Sequence, residues 1–300
     1  MVKVSVIIPT YGVPVFLEKA IKSVQAQTLS DWELFVVDDN DSNTEARQKT
    51  EQLMGQYLSD SRIHYLQHSY NKNGAAARNT GITEATGEYI AFLDGDDEYM
   101  PMRLEKCCNT MDKADDKIGG VYTGCEMRHG GKVFNVVTNE IKPGNYLVES
   151  LACTFLLCTG SNLFIRRSIV NELGGFDEKF LRHQDYEFIV RFFEKYDLAA
   201  IHEPLVIKNN ENVNVPNVDK MKDIKKQYLE KFDNVIKKLP KEQQKYIYHC
   251  HNIQLAEYAM RAKDYTTAKH YYTEASHSYR LTMKEMARKY GFRVKNLIER

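Results

Sequence analysis

The sequence predicts an α/β fold: a Rossmann-like, mostly parallel sheet flanked by helices, with a helical extension at its C-terminal end. Three observations carry this. Apolar runs at VSVIIP (4–9), ELFVVDD (33–39) and YIAFLD (89–94) have the length and near-continuous hydrophobicity of strands buried on both faces. Segments with apolar residues at three-to-four spacing lie between them, and strand–helix alternation implies parallel strands joined by right-handed crossovers. After a polar stretch at 209–218, nearly every segment carries a helical pattern.

In chain order, Phe16, Leu17, Ala20, Ile21 and Val24 form one apolar helix face after Pro14. A second helix is expected over 43–58 and a third over 75–86, stopping near Gly87, with IHYLQ (63–67) a fourth strand. GSNLFIRRSIVNELGGFDEKF (160–180) reads as a strand, a helix and a Gly-Gly turn. HQDYEFIVRFFEKY (183–196) reads as a helix with Phe188, Ile189, Phe192 and Phe193 as its stripe and Asp185 at its start, where the helix dipole favours an acid. NNENVNVPNV (209–218) has linker composition, so residues 1–216 and 217–300 are expected to form separate regions. The second contains helices at 243–260 and 265–278. A last amphipathic helix carries Met283, Met286, Ala287, Tyr290, Val294 and Leu297 on one side and Arg280, Lys284, Arg288 and Arg293 elsewhere.

Composition narrows the function classes. At 43% hydrophobic and 27% charged, the 300 residues can build a core and do not read as disordered. Net charge is zero but divided: nineteen Lys/Arg against ten Asp/Glu from Asn217 onward, twenty-two against thirty-one before it. A basic C-terminal region suits an anionic membrane surface, and a basic amphipathic helix can lie on one or equally be an ordinary surface helix. No nucleic-acid partner is expected. The six cysteines show no CxxC pair or Cys/His ligand spacing, so they read as reduced thiols, against zinc and for a cytoplasmic protein. No run reaches the ~18 apolar residues of a spanning helix.

Five acids then stand out by position. Asp38 and Asp39 follow one strand and Asp94, Asp96 and Asp97 another, at the carboxyl ends where open α/β sheets bind ligands. Clustered carboxylates repel and resist burial without a cation. A D-x-D pair suits Mn²⁺ or Mg²⁺, hard ions that share their coordination with substrate phosphates. Neither GxxxxGK[ST] nor GxGxxG occurs, which leaves phosphate charge to a metal and to basic groups such as Lys72 and Arg78. A lone Asp is the natural general base.

The segments VSVIIPTY, ELFVVDDNDS, NGAAARNTGI, GEYIAFLDGDDEYMP and GSNLFIRRS…GGFDEKF…QDYEF, in this order over about 210 residues, resemble the family 2 glycosyltransferases of the GT-A fold. The likeness extends to bacterial nucleotide-sugar transferases of surface polysaccharide synthesis. It implies that residues 1–216 form a GT-A catalytic domain and 217–300 a basic helical region. Carried over, Asp39 accepts a hydrogen bond from the nucleobase imide, Thr10 and Tyr11 line the base pocket, and Arg78 helps bind the donor. Asp94 holds the ribose or sugar, Asp96 ligates Mn²⁺ or Mg²⁺, and Asp185 is the catalytic base. The implied donor is a UDP-sugar and the acceptor a saccharide or lipid-linked saccharide. Two departures stand out: Gln184 replaces the usual Glu, and Asn209, Asn210 and Asn212 stand where the family often supplies a His. His183 and His202 lie nearby but off that position. Tyr146, Cys158 and Asn162 are candidates for an acceptor pocket, with core packing the better reading. The alternatives are a nucleotidyltransferase, which lacks its Gly-rich basic loop after the first strand, and a non-catalytic nucleotide-sugar-binding scaffold.

Overall fold

The structure, a computed structural model, describes residues 2–138, 141–209 and 217–278. Its first elements are β1 (Val4–Thr10), α1 (Leu17–Gln25), β2 (Trp32–Asp38), α2 (Glu45–Met54), β3 (Ile63–Gln67), α3 (Gly74–Glu84), β4 (Tyr89–Phe92), β5 (Glu98–Tyr99) and α4 (Arg103–Met111). There follow β6 (Ile118–His129), β7 (Lys132–Val137), α5 (Leu147–Leu151), β8 (Phe164–Arg166), α6 (Arg167–Glu172), α7 (Gln184–Phe193) and β9 (Asp197–Asn209). Four more helices close the described chain: α8 (Val218–Lys231), α9 (Asp233–Lys238), α10 (Lys241–Arg261) and α11 (Tyr265–Ser278).

The strands form one mixed sheet in the order β3-β2-β1-β4-β8-β6-β9-β5, with β7 paired to β6. The first four are parallel, as the buried apolar runs of β1, β2 and β4 predict. The second half departs from the parallel expectation: β8 runs antiparallel to both β4 and β6, β9 parallel to β6, and β5 antiparallel to β9. A hairpin that the sequence reading missed joins β6 to β7 through Gly130 and Gly131, whose φ values of 55° and 73° are those a two-residue primed turn requires. The Gly-Gly pair was the available signal.

The chain divides into two compact units. The first runs to Leu147 and resumes from Leu156 to β9; the second joins Val148–Phe155 to the helices after β9. In the first unit α1 buries Leu17, Ala20, Ile21 and Val24, the face predicted from their spacing. In the second, Met221, Ile224 and Leu255 pack together, and the helices hold the backbone of the 148–155 segment. Tyr228 Oη donates to Ser150 O at 2.8 Å and Gln254 Nε2 to Ala152 O at 3.0 Å. Among the described residues no helix is long and apolar enough to cross a membrane. The basic helix expected over 279–300 lies outside the described residues, as do Asn210 and Asn212.

The cysteine reading is corrected. Cys125 and Cys158 form a disulfide, while Cys107, Cys108, Cys153 and Cys250 are buried and outside it. The pair joins β6 to the loop before β8 across 33 positions, and no local spacing signals such a contact. The thiols therefore carry no argument about compartment.

At the amino ends of the strands, buried Glu33 Oε1 accepts from Ser5 Oγ at 2.6 Å and from Thr86 N at 2.7 Å. Gly87 fits against this corner: an added Cβ would stand 2.6 Å from Ser5 N and 2.9 Å from Val4 C, both backbone atoms. Gly87→Ala is expected to cost roughly 1–3 kcal/mol, the range for overpacking. The measurement is the denaturant midpoint, and an unchanged midpoint would refute the assigned clash.

Candidate active site

Parallel pairing brings Thr10, Asp38 and Asp39 to one rim. The pairing of β1 with β2 sets Thr10 opposite Asp38, and Asp39 N donates to Thr10 O at 2.9 Å. The first acidic pair is buried and already engaged. Asp38 forms an ion pair with Arg47 Nε at 2.9 Å and accepts from Tyr65 Oη at 2.5 Å and Asn40 Nδ2 at 2.8 Å. Asp39 Oδ1 meets His68 Nδ1 at 2.7 Å and Lys72 N at 2.8 Å. Its Oδ2 accepts from Asn73 N at 2.8 Å and Asn71 Nδ2 at 2.9 Å. A carboxylate offers about four lone-pair directions, so this loop occupies all of them. Asp38 is thus a structural anchor, and Asp39 fastens the 71–73 segment to the rim.

That segment starts α3. Asn73, at φ 96°, caps the helix by accepting from Ala75 N at 2.8 Å. One turn on, Arg78 crosses to the second acidic loop: Nη2 donates to Asp94 Oδ1 at 2.6 Å and Nη1 to Gln184 Oε1 at 2.9 Å. Gln184, which the sequence marks as a departure from the family pattern, therefore holds the guanidinium without neutralising it. A cleft of about 520 Å³ extends from Thr10, Tyr11 and Asn71 past Asp39 to Arg78, Asp94 and Asp96. Tyr11, 68% exposed, stands at its mouth with Val13 and Val15. The Lys72 ammonium lies over the Tyr70 ring, 5.6 Å from its centre.

The second acidic loop is differentiated residue by residue. Asp97 is buried; its Oδ2 accepts from Ser161 Oγ at 2.6 Å and Thr159 Oγ1 at 2.8 Å, and its Oδ1 from Asn209 N at 3.2 Å. Burial and the neighbouring Asp94 and Asp96 charges push its carboxyl up to about 7. Asp96 is only partly buried, and loss of hydration and the Asp94 charge also raise its pKa. Asp94 completes the set through Arg78 and a 3.4 Å contact from Thr159 Oγ1.

Asp185, in the first turn of α7, joins this group through Gly160. A Cβ on Gly160 would lie 3.8 Å from Asp94 Oδ2, 3.9 Å from Asp185 Cβ and 4.0 Å from Arg78 Nη2. Burial raises the Asp185 pKa, against the lowering effects of the Tyr186 N–H, 2.9 Å from its Oδ1, and of the Arg78 charge. The result is a carboxylate of increased basicity close to Asp94 and Arg78, which line the cleft.

The sequence reading missed Thr159 and Ser161, which hold the acidic loop, and Lys208, which bonds Cys158 O; it named Asn209, which also holds the loop, only as a departure from the family pattern. Asn209 Nδ2 donates to Asp96 O at 2.8 Å. Of the acceptor-pocket candidates, Asn162 is buried and bonds Thr123, Tyr146 Oη donates to Lys142 O, and Cys158 is in the disulfide. His202 lies on the exposed part of β9, 3.4 Å from Thr138 O, and His183 precedes α7.

Among the described residues no group of three or more His, Cys, Asp or Glu could hold a metal by itself. One carboxylate still suits a divalent ion. Asp96 accepts only from its own backbone N–H among the described residues, whereas Asp38, Asp39, Asp94 and Asp97 are all engaged. Magnesium-type ions are commonly held by one or two carboxylates together with substrate phosphates, so these residues fit an ion carried in by a diphosphate.

The profile of Glycosyl transferase family 2 matches residues 5–174. An uncharacterised glycosyltransferase of Methanocaldococcus jannaschii is 31% identical over 235 residues, 75% of this chain and 76% of that protein. The UDP-Glc:α-D-GlcNAc-diphosphoundecaprenol β-1,3-glucosyltransferase of Escherichia coli is 30% identical over 200 residues, 66% of this chain and 73% of that one. The chain spans between 33% and 62% of the length of three further relatives. The Staphylococcus aureus TarS fragment 1–349, solved with UDP-GlcNAc, superposes with a TM-score of 0.60 at 15% identity, covering 94% of each chain. That likeness supports a GT-A-like fold.

Proposed function

The chain belongs to glycosyl transferase family 2, and on that premise we propose that it is an inverting, metal-dependent enzyme of bacterial surface polysaccharide synthesis. It would move a sugar from a UDP-sugar to a hydroxyl of a saccharide or lipid-linked saccharide. The observation that carries this is the convergence of Arg78, Asp94 and Asp185 around Gly160, with Arg78 and Asp94 lining a cleft together with Asp39 and Asp96. The donor and acceptor in the name of the Escherichia coli relative support the substrate classes.

In this reading Tyr11 covers the base and Asp39 accepts a hydrogen bond from its imide N–H in place of the Asn71 amide. Asp94 accepts from the ribose or sugar while Arg78 faces the phosphates. Asp96 would hold Mn²⁺ or Mg²⁺, which when bound supplies Lewis-acid stabilisation of the diphosphate. Asp185 takes the proton of the acceptor hydroxyl as that oxygen bonds to the anomeric carbon from the face opposite the diphosphate. The carbon–oxygen bond to the diphosphate breaks, its electron pair leaves with the phosphate oxygen, and the configuration inverts. The basic region 217–300 would bring the enzyme to an anionic membrane surface on the cytoplasmic side.

Calorimetric titration with UDP, GDP and dTDP, with and without Mn²⁺, tests the donor class. UDP should bind most tightly and in a metal-dependent way, and UDP-sugars should release UDP on incubation. A folded protein that binds none of the three would overturn the reading.

A further inference from the structure

Lys208 is the second cation at the acidic rim, and the chemistry described so far does not use it. It lies near the end of β9, half-buried, and its Nζ donates to Cys158 O at 3.0 Å. An ammonium carries three donors, so two remain available. Among the described residues it forms no direct ion pair, although its charge lowers the carboxyls of both Asp96 and Asp185. A lysine held among acids yet bonded to none of them suits an anion lying between.

Its position is fixed from both sides. Asn209 is tied to the acidic loop through Asp96 O and Asp97 Oδ1. The anchoring carbonyl belongs to Cys158, which is held by its disulfide to Cys125 and immediately precedes Thr159, whose hydroxyl bonds Asp97. Arg78 already spends donors on Asp94 and Gln184, and Lys208 adds a second cation with two donors to spare.

We propose that Lys208 binds the phosphate next to the sugar in the donor diphosphate and stabilises the charge that develops there as the bond to the anomeric carbon breaks. The ammonium donates a hydrogen bond to the departing phosphate oxygen, which keeps the electron pair of the broken bond. The acceptor proton goes to Asp185, and Lys208 exchanges no proton. The proposal rests on the nucleoside-diphosphate-sugar reading above.

The test compares the full chain with Lys208→Gln and Lys208→Arg by titration with UMP and UDP, in chelator and in Mn²⁺, and by kcat and KM with a UDP-sugar. Lys208→Gln should weaken UDP roughly 10- to 100-fold, as loss of a charged hydrogen bond implies, and leave UMP unchanged. It should lower kcat more than it raises KM, and Lys208→Arg should restore most of the loss. Equal weakening of UMP and UDP would assign Lys208 to loop support and overturn the proposal, as would unchanged UDP binding. A wild-type chain that binds neither nucleotide would instead bring down the donor reading itself, and this inference with it.

Discussion

Asp185→Asn is expected to lower kcat for sugar transfer by roughly 10²- to 10⁴-fold, the usual contribution of a positioned general base, while UDP binding stays within about twofold. The substitution is nearly isosteric, and the amide oxygen can still accept from Tyr186 N. The basic oxygen pair alone is lost. A wild-type pH profile checks the same assignment. The active form is the carboxylate, and burial raises its pKa, so kcat should fall with acid at a higher pH than an exposed aspartate would require. Transfer by Asp185→Asn within about threefold of wild type would sink the role given to Asp185.

Asp96→Asn is expected to remove the metal-dependent part of UDP binding. Chelator should bring the wild type down to the level of the variant, and added Mn²⁺ should leave the variant unchanged. The reason lies in the bonding of the loop: Asp97 is held by Ser161 and Thr159 and Asp94 by Arg78, whereas among the described residues the Asp96 carboxylate accepts only from its own backbone N–H. Stability provides the control. The folded-state pKa of Asp96 is raised, so the fold favours its protonated form, and ionisation costs stability as pH rises past the ordinary aspartate value. Neutral Asn avoids that cost, and the unfolding midpoint at neutral pH should be equal or higher. A variant that binds UDP with the wild type's full Mn²⁺ dependence would place the ion elsewhere.

Much of the frame was legible because it is written in periodicity. The runs at 4–9, 33–39 and 89–94 are β1, β2 and β4, and the spacing from Leu17 to Val24 is the buried face of α1. The two acidic groups appear at strand ends for the same reason: parallel pairing puts carboxyl ends on one rim. The second half was less legible. β6 is twelve residues long, with glycines at 119, 120 and 124, and its partners β8 and β9 are distant in sequence, so no local pattern announces their directions.

What the sequence determined by itself is the α/β class, the family, the acids at the carboxyl ends and Asp185 at a helix start, since each depends on short-range spacing or on motif order. What only the tertiary structure decided is which acid is free to act. Five aspartates look alike along the chain, yet Arg47 engages Asp38, the 68–73 segment Asp39, Arg78 Asp94, and Ser161 with Thr159 Asp97. The same holds for Lys208, placed by a carbonyl 50 residues away, and for Cys125, joined to Cys158. A carboxylate's hydrogen-bond partners and hydration set its chemistry, and those partners come from elements that meet only when the sheet is assembled.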